Sequence, residues 1–269
     1  MRTIFLLIAL TSVAHASPKR IVTLSPALSE MIYAIHADDA LVGVVEFSDF
    51  PEAVKKKTQV GAFNKPNMEK IISLKPDMVF LSPEGPSDIR VQLERLHLPF
   101  TIIPMDTFDH VKASAKVLGD YLQRTEEARA FEKNWDDEFK KVIKAHNRVK
   151  LFRKPIVFIE VQNEPLMAAG KKTFINEMIE LCGAKNSVTQ SGYPVVSKEF
   201  IATTHLDHIL LADYFPTQKI KDEALAKWHS WTPTKETPVH LLNSDLVSRP
   251  GPRLLQGLKQ VCEILESSQ

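Results

Sequence analysis

The sequence predicts an α/β protein of two lobes, each a mainly parallel sheet flanked by helices, joined by one long connecting α-helix. Three observations carry that expectation. Thr125 to Lys150 runs for 26 residues without proline or glycine. Strand-like and helical runs alternate on both sides of it. The two sides also echo each other at a constant spacing.

The central run comes first. Its apolar positions, Ala128, Phe131, Trp135, Phe139, Val142, Ile143, His146 and Val149, recur mainly in steps of three and four and so share one helix face. Thr125 offers a capping hydroxyl, and Glu126 and Glu127 place carboxylates at the positive end of the helix dipole. Lys144, Arg148, Lys150, Arg153 and Lys154 make the far end basic, and Pro155 stops it. At 1.5 Å per residue the helix would reach roughly 35–40 Å, about the width of a small domain.

Before it, Arg20 to Leu24 is rich in strand formers, and Ser25-Pro26 starts a helix with Leu28, Met31, Ile32 and Ile35 on one face. A strand over Leu41 to Val45 leads into Phe47-Ser48-Asp49-Phe50-Pro51, a turn with two aromatics. Asn67 caps a short helix through Leu74, and Lys75-Pro76-Asp77 ends it ahead of a buried strand over Met78 to Leu81. Ser82 to Ser87 is a loop, Asp88 to Leu96 a helix, Phe100 to Ile103 a strand and Asp109 to Leu122 a helix. Such alternation argues a parallel sheet with helices on its faces.

After the long helix the pattern resumes. Ile156 to Val161 reads as a strand, Gln162 to Gly170 as a loop, and Phe174 to Leu181 as a helix ended by Gly183. Ser197 caps a helix through Thr203, and His208 to Ala212 is a strand. Asp213 to Pro238 reads as long and irregular, Val239 to Leu242 as a strand, Asn243 to Pro252 as a loop and Arg253 to Leu265 as the last helix. Glu69-Lys70-Ile71, Asp77 and Val79-Phe80-Leu81 return as Glu199-Phe200-Ile201, Asp207 and Ile209-Leu210-Leu211, each 130 residues on. Ser29-Glu30-Met31-Ile32 and Asn176-Glu177-Met178-Ile179 echo at another offset. One match on each side of the long helix favours two similar lobes with a cleft between them.

The chain divides accordingly into a leader at 1–16, an N-terminal lobe at 17–124, the connector at 125–150 and a C-terminal lobe at 151–269. Arg2, the apolar run Thr3 to Leu10 and the small-x-small site Ala14-His15-Ala16 read as a secretory signal cleaved after Ala16. The run is too short to span a bilayer. No cysteine follows it to take a lipid, so a soluble exported protein is expected. Across 269 residues the formal charge is only +1, which argues against nucleic acid or an anionic membrane as the main partner. Cys182 and Cys262 both fall in the exported part. An oxidising compartment favours a disulfide between them, with two buried thiols as the alternative.

Catalytic signatures are missing: the sequence holds no G-x-S-x-G elbow, no P-loop and no G-x-G-x-x-G. His205 and His208 flank Asp207 at a helix–strand junction and read as a solvated turn rather than a metal site. What remains is the set of strand-end loops, where parallel sheets bind ligands. They hold Phe47, Phe50, Phe63, Met167, Tyr193, Phe215, Trp228 and Trp231, with Arg249 in the last. Aromatics offer large apolar faces, and an arginine offers forked donors to a carboxamide or phosphate. Each aromatic taken alone also reads as packing.

Taken together, the export signal, Arg20-Ile21-Val22-Thr23-Leu24-Ser25-Pro26-Ala27, Ser48-Asp49-Phe50-Pro51, Leu74-Lys75-Pro76-Asp77, the single linking helix and the C-terminal Pro-Arg helix resemble the class III periplasmic substrate-binding proteins of ABC importers. These carry cobalamin, ferric siderophores or haem, and the likeness is to the cobalamin-binding members over essentially the whole mature chain. The resemblance implies a monomer in the periplasm that delivers its ligand to a permease and ATPase complex in the inner membrane, with the ligand as cargo and not a cofactor. It implies that Cys182 and Cys262 pair, that Glu69 and Glu199 are the lobe-top glutamates that dock permease arginines, and that Arg249 contacts the ligand. It places Phe50, Phe63, Ser82, Met167 and Tyr193 at cleft positions where those members carry Tyr, Trp, Trp, Phe and Trp. The cleft is then apolar but less aromatic, which suits cobalamin or a related corrinoid held by different contacts, and also a ferric siderophore or haem. An enzyme with an inter-lobe active site is the remote alternative, opposed by the missing nucleophile–base pair.

Overall fold

The structure, a computed structural model, describes residues 19–146 and 153–267. The leader, its cleavage point and the expected end of the connector at 147–150 lie outside the described residues.

The N-terminal half runs β1 (Ile21–Thr23), α1 (Pro26–Ala34), β2 (Leu41–Val44), a 3-10 turn (Glu52–Lys56), β3 (Thr58–Gln59), β4 (Gly61–Ala62), β5 (Lys65–Pro66), α2 (Met68–Ser73), β6 (Met78–Leu81), α3 (Ser87–Arg95), β7 (Phe100–Ile102) and α4 (Phe108–Leu122). Next comes α5 (Thr125–His146). The C-terminal half runs β8 (Ile156–Gln162), β9 (Met167–Ala168), α6 (Phe174–Leu181), β10 (Lys185–Asn186), α7 (Lys198–Thr203), β11 (His208–Leu211), α8 (Gln218–Ser230), β12 (Val239–Leu241), α9 (Ser244–Val247) and α10 (Leu254–Ser267).

One sheet has the parallel order β3-β2-β1-β6-β7, the other the parallel order β10-β8-β11-β12 with β9 antiparallel on β8. The orders correspond strand for strand, with β2, β1, β6 and β7 matching β10, β8, β11 and β12. The repeated aspartate has the same task in both. Asp77 Oδ2 accepts from Arg20 N at 2.7 Å while Asp77 N donates to Arg20 O at 2.7 Å. Asp207 Oδ2 accepts from Ile156 N at 2.7 Å while Asp207 N donates to Ile156 O at 2.8 Å. Each carboxylate thus satisfies a backbone N–H at the entry to a central strand, which has no ladder partner there. The cap expectations at Asn67 and Ser197 hold too, their side chains accepting from Lys70 N at 3.0 Å and Phe200 N at 3.2 Å, whereas Ser25 precedes α1 without a side-chain cap bond and Thr125 is itself the first residue of α5.

The connector packs on α4 of one lobe and α10 of the other. Its apolar stripe faces inward: Trp135 and Phe139 pack on Phe108 with ring centroids 6.3 and 6.1 Å away, and Phe131 packs on Trp135 at 5.8 Å. His146, on the same stripe, is buried and its Nδ1 lies 2.6 Å from Glu266 Oε1 in α10. A single buried cluster extends from Leu28 and Ile32 of α1 through Val111 and Leu118 of α4 and Trp135 of α5 to Met178 of α6 and Leu258 of α10. Separate clusters cover the outer face of each sheet. Cys182, at the end of α6, and Cys262 of α10 are disulfide-bonded.

Several sequence expectations need correction. Asp213 to Pro238 is not irregular, since it holds α8. That helix starts at Thr217, whose hydroxyl accepts from Ile220 N at 3.3 Å, and it lies between Pro216 and Pro233. Its apolar positions Ile220, Ala224, Leu225 and Trp228 do fall at helical spacing, but in an otherwise polar run of which only Trp228 is buried. The loop at Asn243 to Pro252 contains α9, capped by Asn243, and Gln162 to Gly170 contains β9. The β4–β5 hairpin and the two-residue β10 were too short to show a period. His208 is no part of a solvated turn. It is buried, 3.4 Å from His240, and burial first, then the neighbouring ring, lowers its pKa.

Two outcomes follow for stability. Arg153, which bonds both oxygens of Asp207, holds that carboxyl at about 2 against the opposing effect of burial, helped by Ile156 N. A folded value below the unfolded one near 3.8 means that Asp207 stabilises fully above pH 4 and loses its contribution as pH falls toward 2. Asp207→Asn should therefore lower the urea midpoint at pH 7, and the gap to wild type should narrow at pH 2.5. A gap of constant size would refute the linkage. Reduction of Cys182–Cys262 should lower unfolding free energy by up to about 4 kcal/mol, the chain-entropy value for a loop of about 80 residues. Urea titrations with and without reductant measure it.

Candidate ligand site between the lobes

A cavity of about 340 Å³ opens between the lobes at the carboxyl ends of the strands. Its N-terminal side is built by Ser25, Pro26 and Ala27 at the start of α1, by Glu46 and Phe47, by Phe63, by Ser82 and Glu84, and by Met105. Its C-terminal side is Phe174, Tyr193 and the run Ser248-Arg249-Pro250.

Local folding explains these positions. The Thr23 and Ser29 hydroxyls lie 2.7 Å apart, and Ser29 Oγ lies 3.3 Å from the buried Ser48 hydroxyl, which pins the 47–51 turn to α1. With Ser48 held inside, Phe47 takes a left-handed backbone (φ 61°) and turns outward, 68% exposed. Phe63 sits in the link between β4 and β5, and the hairpin needs Gly61 at φ 103°. Tyr193 is held by a laced pair of segments: Gly170 N donates to Gly192 O at 2.8 Å, and Ala168 N to Pro194 O at 3.1 Å. Gly192 at φ 75° makes the bend before it.

Arg249 is the charged centre. Its Nη1 lies 2.6 Å from Asp49 Oδ1 and 3.7 Å from Glu30 Oε1, both in the N-terminal lobe, and its Nη2 lies 2.9 Å from Asp245 Oδ1 in its own. Beneath it the Arg253 guanidinium clasps Glu30 at 2.8 and 2.6 Å. Burial pushes the Glu30 carboxyl up, and the hydrogen bond and charge of Arg253 oppose it. Burial also pushes Asp49 up, but Arg249 outweighs it and leaves the carboxyl below its ordinary range. Apolar walls and one guanidinium already shared among carboxylates can hold a large ligand with polar edges. Among the described residues no cluster of three or more histidine, cysteine or acidic side chains could hold a metal ion.

Of the residues singled out in the sequence, Phe47, Phe63, Ser82, Tyr193 and Arg249 meet in this cavity, and Phe50 and Met167 stand outside its lining. Phe50 lies under Arg253, whose guanidinium carbon is 4.1 Å from the ring centroid, and Met167 is in β9. Trp228 and Trp231 belong to the outer face of the second sheet, with Trp228 Nε1 donating to the buried Glu160 at 2.9 Å. Burial raises Glu160 above its ordinary value. Met105, Phe174 and the carboxylates around Arg249 were missed, since no local pattern separates them from core or surface; the Ser29-Glu30 echo was the one available signal. Glu69 and Glu199 occupy the exposed first turns of α2 and α7. The backbone N–H of Glu199 and then the Ser197 hydroxyl hold its carboxyl below the usual range.

The family model described as "Periplasmic binding protein" matches residues 21–244. A vitamin B12-binding protein of Pectobacterium atrosepticum is 30% identical over 261 residues, 95% of this chain and 91% of that protein. The crystal structure of the periplasmic vitamin B12-binding protein BtuF of Vibrio cholerae superposes with a TM-score of 0.81 at 25% identity, over 93% of this chain and 98% of that one. A periplasmic heme-binding protein of Pseudomonas aeruginosa also gives a TM-score of 0.81 at 25% identity, over 93% and 94%.

Proposed function

The chain belongs to the periplasmic binding protein family, and from that premise we propose that it captures cobalamin or a related corrinoid between its lobes and delivers it to an ABC importer. The observation that carries the reading is the inter-lobe cavity, in which Phe47, Phe63, Phe174 and Tyr193 meet Arg249. Aromatic faces suit a large planar macrocycle, and a guanidinium suits the carboxamides and phosphate at its edge. A protein of this kind needs no catalytic group. The leader at 1–16 would send it to the periplasm and be cleaved after Ala16. Among the described residues no helix is long and apolar enough to cross a membrane. Haem or a ferric siderophore is the second reading, and a phenol in the lining, Tyr193, favours it as an iron ligand.

Visible spectra after mixing with cyanocobalamin, haemin and ferric siderophores separate the readings. A saturable shift with cyanocobalamin alone supports the first. A shift with haemin that Tyr193→Phe abolishes supports the second. Within the first reading, Phe63→Ala and Tyr193→Ala should each weaken binding by about 1–3 kcal/mol in calorimetry without unfolding the protein. Unchanged affinity in both would remove the site.

Delivery to the importer is assigned to Glu69 and Glu199. They lie at equivalent points of the two lobes, in the first turns of α2 and α7, where the helix dipole alone would favour a carboxylate. Being equivalent, they present one charge per lobe to a two-subunit permease with one basic pocket per subunit. Desolvated charge pairs at such an interface fix register and orientation. Glu69→Ala with Glu199→Ala should keep ligand affinity and abolish ligand-dependent stimulation of the importer, with each single change intermediate. Normal transport by the double variant in reconstituted vesicles refutes the assignment.

A further inference from the structure

The strand orders of the lobes make α1 equivalent to α6 and α4 equivalent to α10. In that correspondence Ser29-Glu30-Met31-Ile32 falls on Asn176-Glu177-Met178-Ile179. Three of the four residues are inward-facing in both helices, as core positions require, and that accounts for their chemistry. The glutamates are different. Each leaves its own lobe.

Glu30, in α1 of the N-terminal lobe, takes both bonds of the Arg253 guanidinium, at 2.8 and 2.6 Å. Arg253 is the residue immediately before α10 of the C-terminal lobe. Glu177, in α6 of the C-terminal lobe, accepts from the backbone N–H of Phe108 at 3.2 Å. Phe108 is the first residue of α4 of the N-terminal lobe. Both carboxylates therefore reach the N-terminus of the last helix of the opposite lobe. On the α4 side the recipient is a helix-end N–H with no partner inside its helix, since the Thr107 cap serves His110 instead. A carboxylate there gains from the dipole as well as from the bond. On the α10 side a guanidinium receives it. The two crossings are related by the same pseudo-twofold that relates the lobes.

Their location gives them a consequence for the cavity. Glu30 lies one helical turn beyond Pro26 and Ala27, and Glu177 one turn beyond Phe174, all of which line it. Met105 and Arg249, also in the lining, lie three and four residues before the two recipients, Phe108 and Arg253. At the first crossing the lobes touch closely enough that a Cβ on Gly251 would stand 3.4 Å from Ala27 Cα. The lining and the crossings are thus consecutive turns of the same four segments.

We propose that Glu30 and Glu177 are a symmetry-related pair of cross-lobe clasps that fix the width of the cleft, and so act as positioning residues for a ligand they do not touch. The proposal rests on reading the inter-lobe cavity as the ligand site, and the test separates the two. Spin labels on Ser73→Cys and Thr203→Cys, at equivalent exposed ends of α2 and α7, report the distance between the lobes by pulsed electron resonance. In that background Glu177→Ala should broaden the distribution toward longer distances and speed cyanocobalamin dissociation by about ten-fold, since a misplaced wall acts mainly on the off-rate. Glu177→Gln keeps a carbonyl acceptor for Phe108 N–H and should restore both. Glu30→Gln, which breaks the other crossing, should broaden the distribution likewise; if it does not fold, the Glu177 variants decide alone. An unchanged distribution in Glu177→Ala overturns the proposal, whatever happens to its unfolding temperature. So does a widened distribution with unchanged dissociation. If wild-type protein binds neither cyanocobalamin nor haemin, the ligand reading falls, and the label distances alone decide the clasps.

Discussion

Trp135 and Val142 of the connecting helix pack into the same buried cluster as Leu28 of α1, Val111 of α4, Met178 of α6 and Leu258 of α10. That cluster does not stop at the boundary between lobes. Swinging the lobes apart would expose side chains from both, and each fully buried leucine or methionine is worth about 1.5–3 kcal/mol. A few such residues equal the whole stability of an ordinary domain. The cleft is therefore a groove cut into one body, and the shared core limits how far its walls can move. A rigid helix and a common core allow small adjustments of width, not the wide swing of a flexible hinge.

The polar layer above the core is possible only because of this geometry. Glu30 is buried, and a lone carboxylate there would be costly. The shared core brings Arg253 from the other lobe to within 2.6 Å of it. Arg249 then completes a set in which two guanidiniums of one lobe meet the carboxylates of both. Any ligand acceptor that approaches Arg249 must share it with Asp49 or Asp245, or displace one of them. Asp49 belongs to the turn that carries Phe47, so a change in its bond to Arg249 bears on the aromatic wall as well. The charge that faces the cavity and the contact between the lobes are in this way the same set of hydrogen bonds.

Much of the fold was legible because the signals were periodic or stereochemical. The connector showed an uninterrupted apolar stripe, and even the placement of His146 on it was right, since the ring is buried. Asn67 and Ser197 were readable as caps because a cap needs a short polar side chain at one position. The helix α8 was overlooked although Ile220, Ala224, Leu225 and Trp228 stand at helical spacing, because that stripe is short and set among charged, exposed residues between two prolines. In the cavity, Phe47, Phe63, Tyr193 and Arg249 stood out as loop aromatics and a loop arginine. Met105 and Phe174 did not, since each is also a good core residue and only the closing of two lobes makes it a wall. Trp228 and Trp231 were drawn into the loop set for want of α8. The Glu30–Arg253 pair spans 223 residues and leaves no local trace except the echoed Glu-Met-Ile.

The internal symmetry sorts the residues by what they must satisfy. Asp77 and Asp207 keep one role because each central strand has the same unsatisfied N–H. Glu30 and Glu177 both cross to the far lobe, and Glu69 and Glu199 both stand in a first turn. Where the lobes meet the cavity, the symmetry is lost. One side offers Phe47 in a pinned turn and Phe63 in a hairpin, and the other offers Tyr193 in a laced loop and Arg249 before α10. A partner with two equal halves would select the paired features, and a ligand with one charged or polar edge would select the unpaired ones. On the proposed reading, symmetric glutamates would suit a partner of two equal subunits, and an asymmetric cavity would suit a cargo that has no twofold of its own.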